Sequence, residues 1–186
     1  MDNISSMANV PAGPRMEMYT DLFVIQGYLT MIAQRTSDIL NRSTTNFMPV
    51  YNATITPLGQ TPSSKIQETP VMVRLSQVNF VVEMPSAHNP APAPSVPGGP
   101  VYGREAYVTK DDHPCYAITG PYAIYGHCYL HKGTSLENLL QGIDPFMPIT
   151  NPTVYALAHP NLSWKPNFVL VNKSLLTAMY VMPKTE

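Results

Sequence analysis

The sequence predicts a mainly β protein (β with short helices), built as two tandem small barrel-like repeats related by pseudo-two-fold symmetry. Three observations predict it: a pattern that recurs at a fixed distance, apolar alternation with a period of two, and a proline-rich break between the copies. The recurring pattern is "NFMPVYNAT" at 46–54 and "PFMPITNPT" at 145–153. With residue n set above residue n+99, positions 23–56 give eight identities in 34 ungapped pairs, where chance gives roughly two. They are Ile25/Ile124, Gly27/Gly126, Leu40/Leu139, Phe47-Met48-Pro49/Phe146-Met147-Pro148, Asn52/Asn151 and Thr54/Thr153. After one deletion the match resumes at an offset of 98, with Val71/Val169, Val73/Val171, Ser76/Ser174 and Met84-Pro85/Met182-Pro183. Self-similarity at a fixed spacing is the signature of a repeated structural unit.

The boundaries follow. Residues 1–19 are read as an N-terminal extended tail, 20–85 as the first β repeat, 86–103 as a Pro-rich linker and 104–186 as the second β repeat. "PSAHNPAPAPSVPGGP" cannot continue a helix or a central strand and reads as a semi-stiff spacer.

Within each repeat the first strand alternates. Phe23, Ile25, Gly27, Leu29 and Met31 share one face in the first copy, and Tyr122, Ile124, Gly126, Cys128 and Leu130 in the second. A glycine in the middle of an inward face predicts a sharp bend in the strand. A short helix comes next. "TSLENLLQG" opens with Thr134 and Glu137 at capping-box spacing and stops at Gly142; "TSDILNRS" is the first-copy version. Strands at Phe47–Thr56 and Phe146–Tyr155 follow, each with a proline near its start, where a missing N–H does least damage. A loop leads into one long strand, "VMVRLSQVNFVVEM" or "FVLVNKSLLTAMYVM". The second copy carries an extra lead-in, "REAYVTKDDHPCYAITG", read as a further hairpin. A single copy of this size has little core for its surface, so two copies are expected to shield each other, like a homodimer fused into one chain.

These residues resemble the Sm-like small β-barrels and are similar to uncharacterised bacterial domains. The first copy offers Gly27-Tyr28-Leu29, then Asn46 to Ala53, then Val71 to Val82 with Arg74. The second keeps Gly126 but has Cys128, Pro152 and Asn172 where the pattern has Leu, Ala and Arg. The resemblance implies assembly through strand edges more than RNA binding, because the RNA-contacting elements are not kept.

Composition narrows the function classes. Charged residues are 12% of the chain, about half the usual ~25%. The net charge is −1, and the eleven Lys and Arg form no basic stripe, which disfavours a large nucleic-acid footprint. A surface of Thr, Ser, Asn, Pro and Tyr is cheap to desolvate and suits protein contact. Two cysteines are too few for a disulfide scaffold. The longest apolar stretch is too short to span a bilayer, and no signal-peptide pattern begins the chain, so a cytoplasmic protein is expected.

No catalytic constellation, nucleophile elbow or phosphate loop is present, so no enzymatic activity and no cofactor are expected. The outward face of the second copy's first strand carries Tyr125, His127, Tyr129 and His131. These residues, with the lone Trp164, are the candidate contact residues. A metal reading would use His127, His131 and His113, but two histidines at strand spacing without a clear third ligand are a weak signal. The expected function is a structural or accessory subunit acting through protein partners or self-assembly. The alternatives are an Sm-like nucleic-acid-binding module, or a small-ligand or metal sensor on the His/Tyr face.

Overall fold

In the computed structural model, residues 13–30, 35–60, 65–66, 70–84 and 110–182 are described; the expected linker lies outside them. The elements, in order, are β1 (Arg15–Tyr19), β2 (Phe23–Tyr28), α1 (Thr36–Asn41), β3 (Phe47–Pro57), β4 (Lys65–Ile66), β5 (Val71–Arg74), β6 (Phe80–Glu83), β7 (Lys110–Thr119), β8 (Tyr122–His131), α2 (Leu136–Gln141), β9 (Phe146–Ala156), β10 (Ser163–Trp164), β11 (Phe168–Asn172) and β12 (Leu176–Val181). The molecule is mainly β, an open antiparallel sheet with two short helices. Its strands run β12-β7-β8-β9-β11-β6-β1-β2-β3-β4, with β10 on β9 and β5 on β3.

The tail expected over 1–19 is corrected: Arg15–Tyr19 form a central strand, with Met16 and Met18 fully buried. Met, Met and Tyr in so short a run are enough once β2 and β6 supply ladder partners on both sides. The lead-in of the second half is therefore not extra. It is β7, the first strand of a β7–β8 hairpin, as β1 is of a β1–β2 hairpin. The single long closing strand is also corrected. A 3₁₀ turn divides it at Leu75–Gln77 and at Lys173–Leu175.

Strand registers in the two halves run in step. Ile25 faces Ile55 and Ile124 faces Val154; Phe47 faces Arg74 and Phe146 faces Asn172; Met18 faces Val81 and Ala117 faces Met179. Both first hairpin partners lose register at the same place, between Gln26 and Tyr28 and between Tyr125 and His127. The glycines explain the bend. A Cβ on Gly27 would run into Val50 Cγ1 and stand 2.7 Å from the Tyr51 carbonyl, and one on Gly126 would stand 2.6 Å from Ile149 Cγ2 and 2.9 Å from the Thr150 carbonyl. Opposite these bends Asn52 and Asn151 take left-handed backbone, at φ 49° and 47°, a conformation asparagine tolerates better than other side chains. This is the physical reason for asparagine in the recurring pattern.

Two cores result. One gathers Met16, Met18, Ile25, Leu29, Ile39, Leu40, Val50 and Val81, and also takes Phe146 and Leu170 from the second half. The other gathers Cys115, Tyr122, Ile124, Cys128, Ile149, Val169 and Val171, and takes Tyr19, Phe80 and Val82 from the first. Strand β6 thus feeds both cores, one from each face.

The halves are joined by β6 against β11, where Val81 faces Leu170 and Phe80 faces Val171. Asparagines stitch this seam. Asn41 Nδ2 donates to the Phe146 carbonyl while its Oδ1 accepts from the Phe146 N–H. Asn172 Nδ2 donates to the Leu75 and Val78 carbonyls. Asn79 Oδ1 accepts from the Thr119 hydroxyl. Strands β6 and β11 hold different places in their respective strand orders. A two-fold junction would pair like with like, so the expected two-fold relation is not what this seam displays.

Candidate interaction surface

Alternation on β8 places Tyr122, Ile124, Gly126, Cys128 and Leu130 inward and Tyr125, His127, Tyr129 and His131 outward. Four of the five candidate contact residues therefore share one face. Neighbouring strands extend it. Tyr125 faces Tyr116 on β7, which in turn faces Tyr180 on β12, so three exposed phenol rings cross three strands in a row, with Tyr155 of β9 one step away. Tyrosine offers large, rigid contact area at low entropic cost, with a hydroxyl to bond at its rim.

His127 Nδ1 lies 2.9 Å from Asp112 Oδ1, on the adjoining strand. An ionised carboxylate can only accept, so this contact is a hydrogen bond when the ring carries a proton on Nδ1. His131 is exposed at the end of β8; its carbonyl accepts from the Thr134 N–H and hydroxyl. The helix that follows begins one residue later than expected. Ser135, not Thr134, is the N-cap, with its hydroxyl accepting from the Asn138 N–H, while Glu137 accepts from Gln141 instead of turning back to the cap.

The three histidines of the metal reading do not converge. His113 faces Cys128 in register and shares the side of β7 that carries Cys115 and Ala117, whereas His127 and His131 point the other way. Among the described residues no group of three His, Cys, Asp or Glu side chains could hold a metal ion.

Trp164 is separate from that face. It pairs opposite Val154 on β9 and stacks on Tyr19, ring centroids 5.2 Å apart at 24°. Tyr19 stacks on Phe80 at 4.4 Å, and Tyr122 meets both edge-on. This four-ring cluster, drawn from β1, β6, β8 and β10, packs the halves together. Tyr122 donates its hydroxyl to the Thr20 carbonyl, and Tyr19 to Glu17 Oε2, both at 2.7 Å. Burial pushes both phenols well above their ordinary range, and Glu17 raises Tyr19 further. The Trp164 N–H lies close enough to the Tyr19 hydroxyl to pull the other way, though among the described residues it completes no hydrogen bond.

Both thiols are buried and free. The hydrogen bond between them, the largest cause for each, pushes the Cys115 thiol up and the Cys128 thiol down; both lie buried in the core. Among the described residues no helix is long and apolar enough to cross a membrane. No family model matches the sequence, and no curated protein and no solved structure is significantly similar to it.

Proposed function

We propose that this chain is a non-enzymatic structural subunit made of two small Sm-like barrel repeats, and that copies of it join head to tail through strand edges. Within each repeat the five-stranded path supports the barrel reading. Strands β1, β2 and β3 pair in turn, β5 pairs with β3, β6 pairs with β1, and the 3₁₀ turn bends β5 into β6. The second half runs the same way through β7, β8, β9, β11 and β12.

The observation that carries the assembly is a difference in burial between matched positions. Strand β11 is paired on both edges, while β5, which takes its place in the first repeat, pairs among the described residues with β3 alone. Strand β6 is likewise paired on both edges, and β12, its match, pairs among the described residues with β7 alone. Side chains follow suit. Phe146 and Leu170 are 2% and 1% exposed at the seam, whereas their matches Phe47 and Met72 are 42% and 55% exposed. Exposed apolar side chains along an unpaired strand edge form a template for another strand. The seam inside the chain supplies the pattern for the join between chains: Leu170 facing Val81 becomes Met72 of one copy facing Met179 of the next.

The tyrosine face fits the same scheme. Tyr125 and Tyr155 match Gln26 and Thr56, which border the cavity that Trp164 and Leu162 of the second repeat close off. In the second repeat those positions stand 40% and 45% exposed, at the place where the next copy's first repeat would lie. The asparagine stitches are not all repeated there, since Asn172 is matched by Arg74, so the join between chains is weaker than the seam within one. Assembly is accordingly concentration-dependent. Light-scattering mass measured across a hundredfold dilution series tests it: multiples of the 20.5 kDa chain at the concentrated end are expected, and a monomer throughout contradicts the proposal.

The exposed tyrosines favour a second reading, single-stranded nucleic acid stacked on aromatic rings. That reading requires binding that weakens steeply with salt, which strand-edge assembly does not.

A further inference from the structure

Phe146 and Asn172 face each other across β9 and β11 at the seam inside the chain. Phe146 is 2% exposed and lies in the core that holds Met16, Leu40 and Leu75 of the first half. Asn172, equally buried, donates Nδ2 to the Leu75 and Val78 carbonyls. An asparagine is small and neutral, so its burial beside a ring is tolerated once the amide is bonded.

The open edge carries Phe47 and Arg74 at the matched positions, facing each other across β3 and β5. Phe47 is 42% exposed. The Arg74 guanidinium lies over its ring, with Cζ 5.1 Å from the centroid, within cation–π reach. Among the described residues Arg74 forms no salt bridge. A copy docked as in the seam would bring this guanidinium to the 3₁₀ turn Lys173–Leu175, since Lys173 and Leu176 are the matches of Leu75 and Val78. The Lys173 ammonium already donates to the Leu139 and Gly142 carbonyls and has the Asp144 carboxylate near it. No unpaired anion is offered there among the described residues, and burying a charge without a partner costs far more than burying a bonded amide.

We infer that Arg74 restrains assembly: in the free chain it covers Phe47, the side chain that the next copy has to bury, and it has to leave before two copies join. The restraint rests on the strand-edge reading and adds what limits it. The partner is a second copy, and the join is held weak by a residue of the docking edge itself.

Arg74→Ala removes the cover, and Arg74→Asn gives the open edge the residue of the seam. Light-scattering mass across the dilution series reads both. Arg74→Ala is expected to tighten association about threefold or more, the scale of an exposed cation–π contact. Arg74→Asn is expected to tighten it about tenfold or more, because bonds to the neighbouring turn are added. Phe47→Ser in the Arg74→Asn background is expected to return association to the natural level or below. Melting temperatures at the dilute end, where the chains are single, are expected to stay within about 2 °C of the natural chain for both Arg74 variants. If the natural chain forms multiples and Arg74→Ala associates no more tightly, the restraint is overturned and the strand-edge reading stands. If the natural chain stays single while Arg74→Asn forms multiples, the restraint is supported and unaided assembly is contradicted. If the natural chain and both Arg74 variants stay single throughout, both fall.

Discussion

Gly27→Ala and Gly126→Ala are the most informative pair of substitutions in the fold. An added methyl at Gly27 overlaps Val50 Cγ1 and stands 2.7 Å from the Tyr51 carbonyl and 3.3 Å from Ala53 Cα. At Gly126 it stands 2.6 Å from Ile149 Cγ2, 2.9 Å from the Thr150 carbonyl and 3.2 Å from Pro152 Cα. A rotamer change can move a valine or isoleucine methyl. It cannot move the carbonyl, which belongs to the bulged strand itself, so β3 or β9 has to shift bodily. Overpacking of that kind costs about 1–3 kcal/mol, or roughly 2–12 °C in melting temperature for a chain of this size. Gly142→Ala is the control, since there the nearest atom is 3.3 Å away and the backbone is ordinary. Thermal unfolding followed by circular dichroism, at one fixed protein concentration, should show two similar losses beside a nearly silent control. If either bend glycine tolerates alanine without loss, or one unfolds the protein while the other is neutral, the common steric origin of the two bends is refuted.

Further expectations concern the backbone, the seam and the buried phenols. At Asn52 and Asn151, φ 49° and 47°, glycine should be nearly neutral and alanine should cost about 1–2 kcal/mol, as denaturant melts would read. Asn172→Ala leaves the Leu75 and Val78 carbonyls and the Ser174 N–H without their side-chain partner at the seam; a loss of about 2–3 kcal/mol is expected. Tyr19 and Tyr122 have folded-state pKa values raised above the ordinary phenol, chiefly by burial. The unfolded chain therefore releases these protons first. Their contribution is complete below about pH 10 and declines above it, by about 1.4 kcal/mol per pH unit per tyrosine. Urea melts from pH 9 to pH 11 should show the decline, and Tyr19→Phe with Tyr122→Phe should flatten it.

Much of the sheet was legible because alternation is a local property. The faces of β8 follow from the sequence alone, inward Ile124, Gly126 and Cys128 against outward Tyr125, His127, Tyr129 and His131. Strand β1 was not legible, since Arg-Met-Glu-Met-Tyr is short and carries two charges, and becomes a central strand only through partners distant in sequence. The divided closing strand was missed because no glycine or proline marks the 3₁₀ turn; the local sign is a change of parity in the apolar positions, from Val71, Val73 and Leu75 to Val78, Phe80 and Val82. The recurring asparagines were visible as a pattern, and what they signalled was a left-handed backbone position. Least legible was the cavity. Tyr19, Thr56 and Trp164 are far apart in the chain, and their meeting depends on how the two halves of the sheet join. The place of Trp164 in a ring cluster likewise depends on that seam.

The claim on which the account turns is that the β6–β11 seam is repeated between chains by β12 and β5. Cysteines at Met72 and Met179 test it, with Val81→Cys and Leu170→Cys as the control pair, because those two positions face each other across the seam and should close within one chain. Under mild oxidation the Met72/Met179 double variant is expected to give disulfide-linked dimers and longer ladders on a non-reducing gel, while each single variant stays a monomer; the native thiols are buried and do not compete. If the control pair closes and the Met72/Met179 pair yields only monomer at high concentration, the chains do not join by these edges.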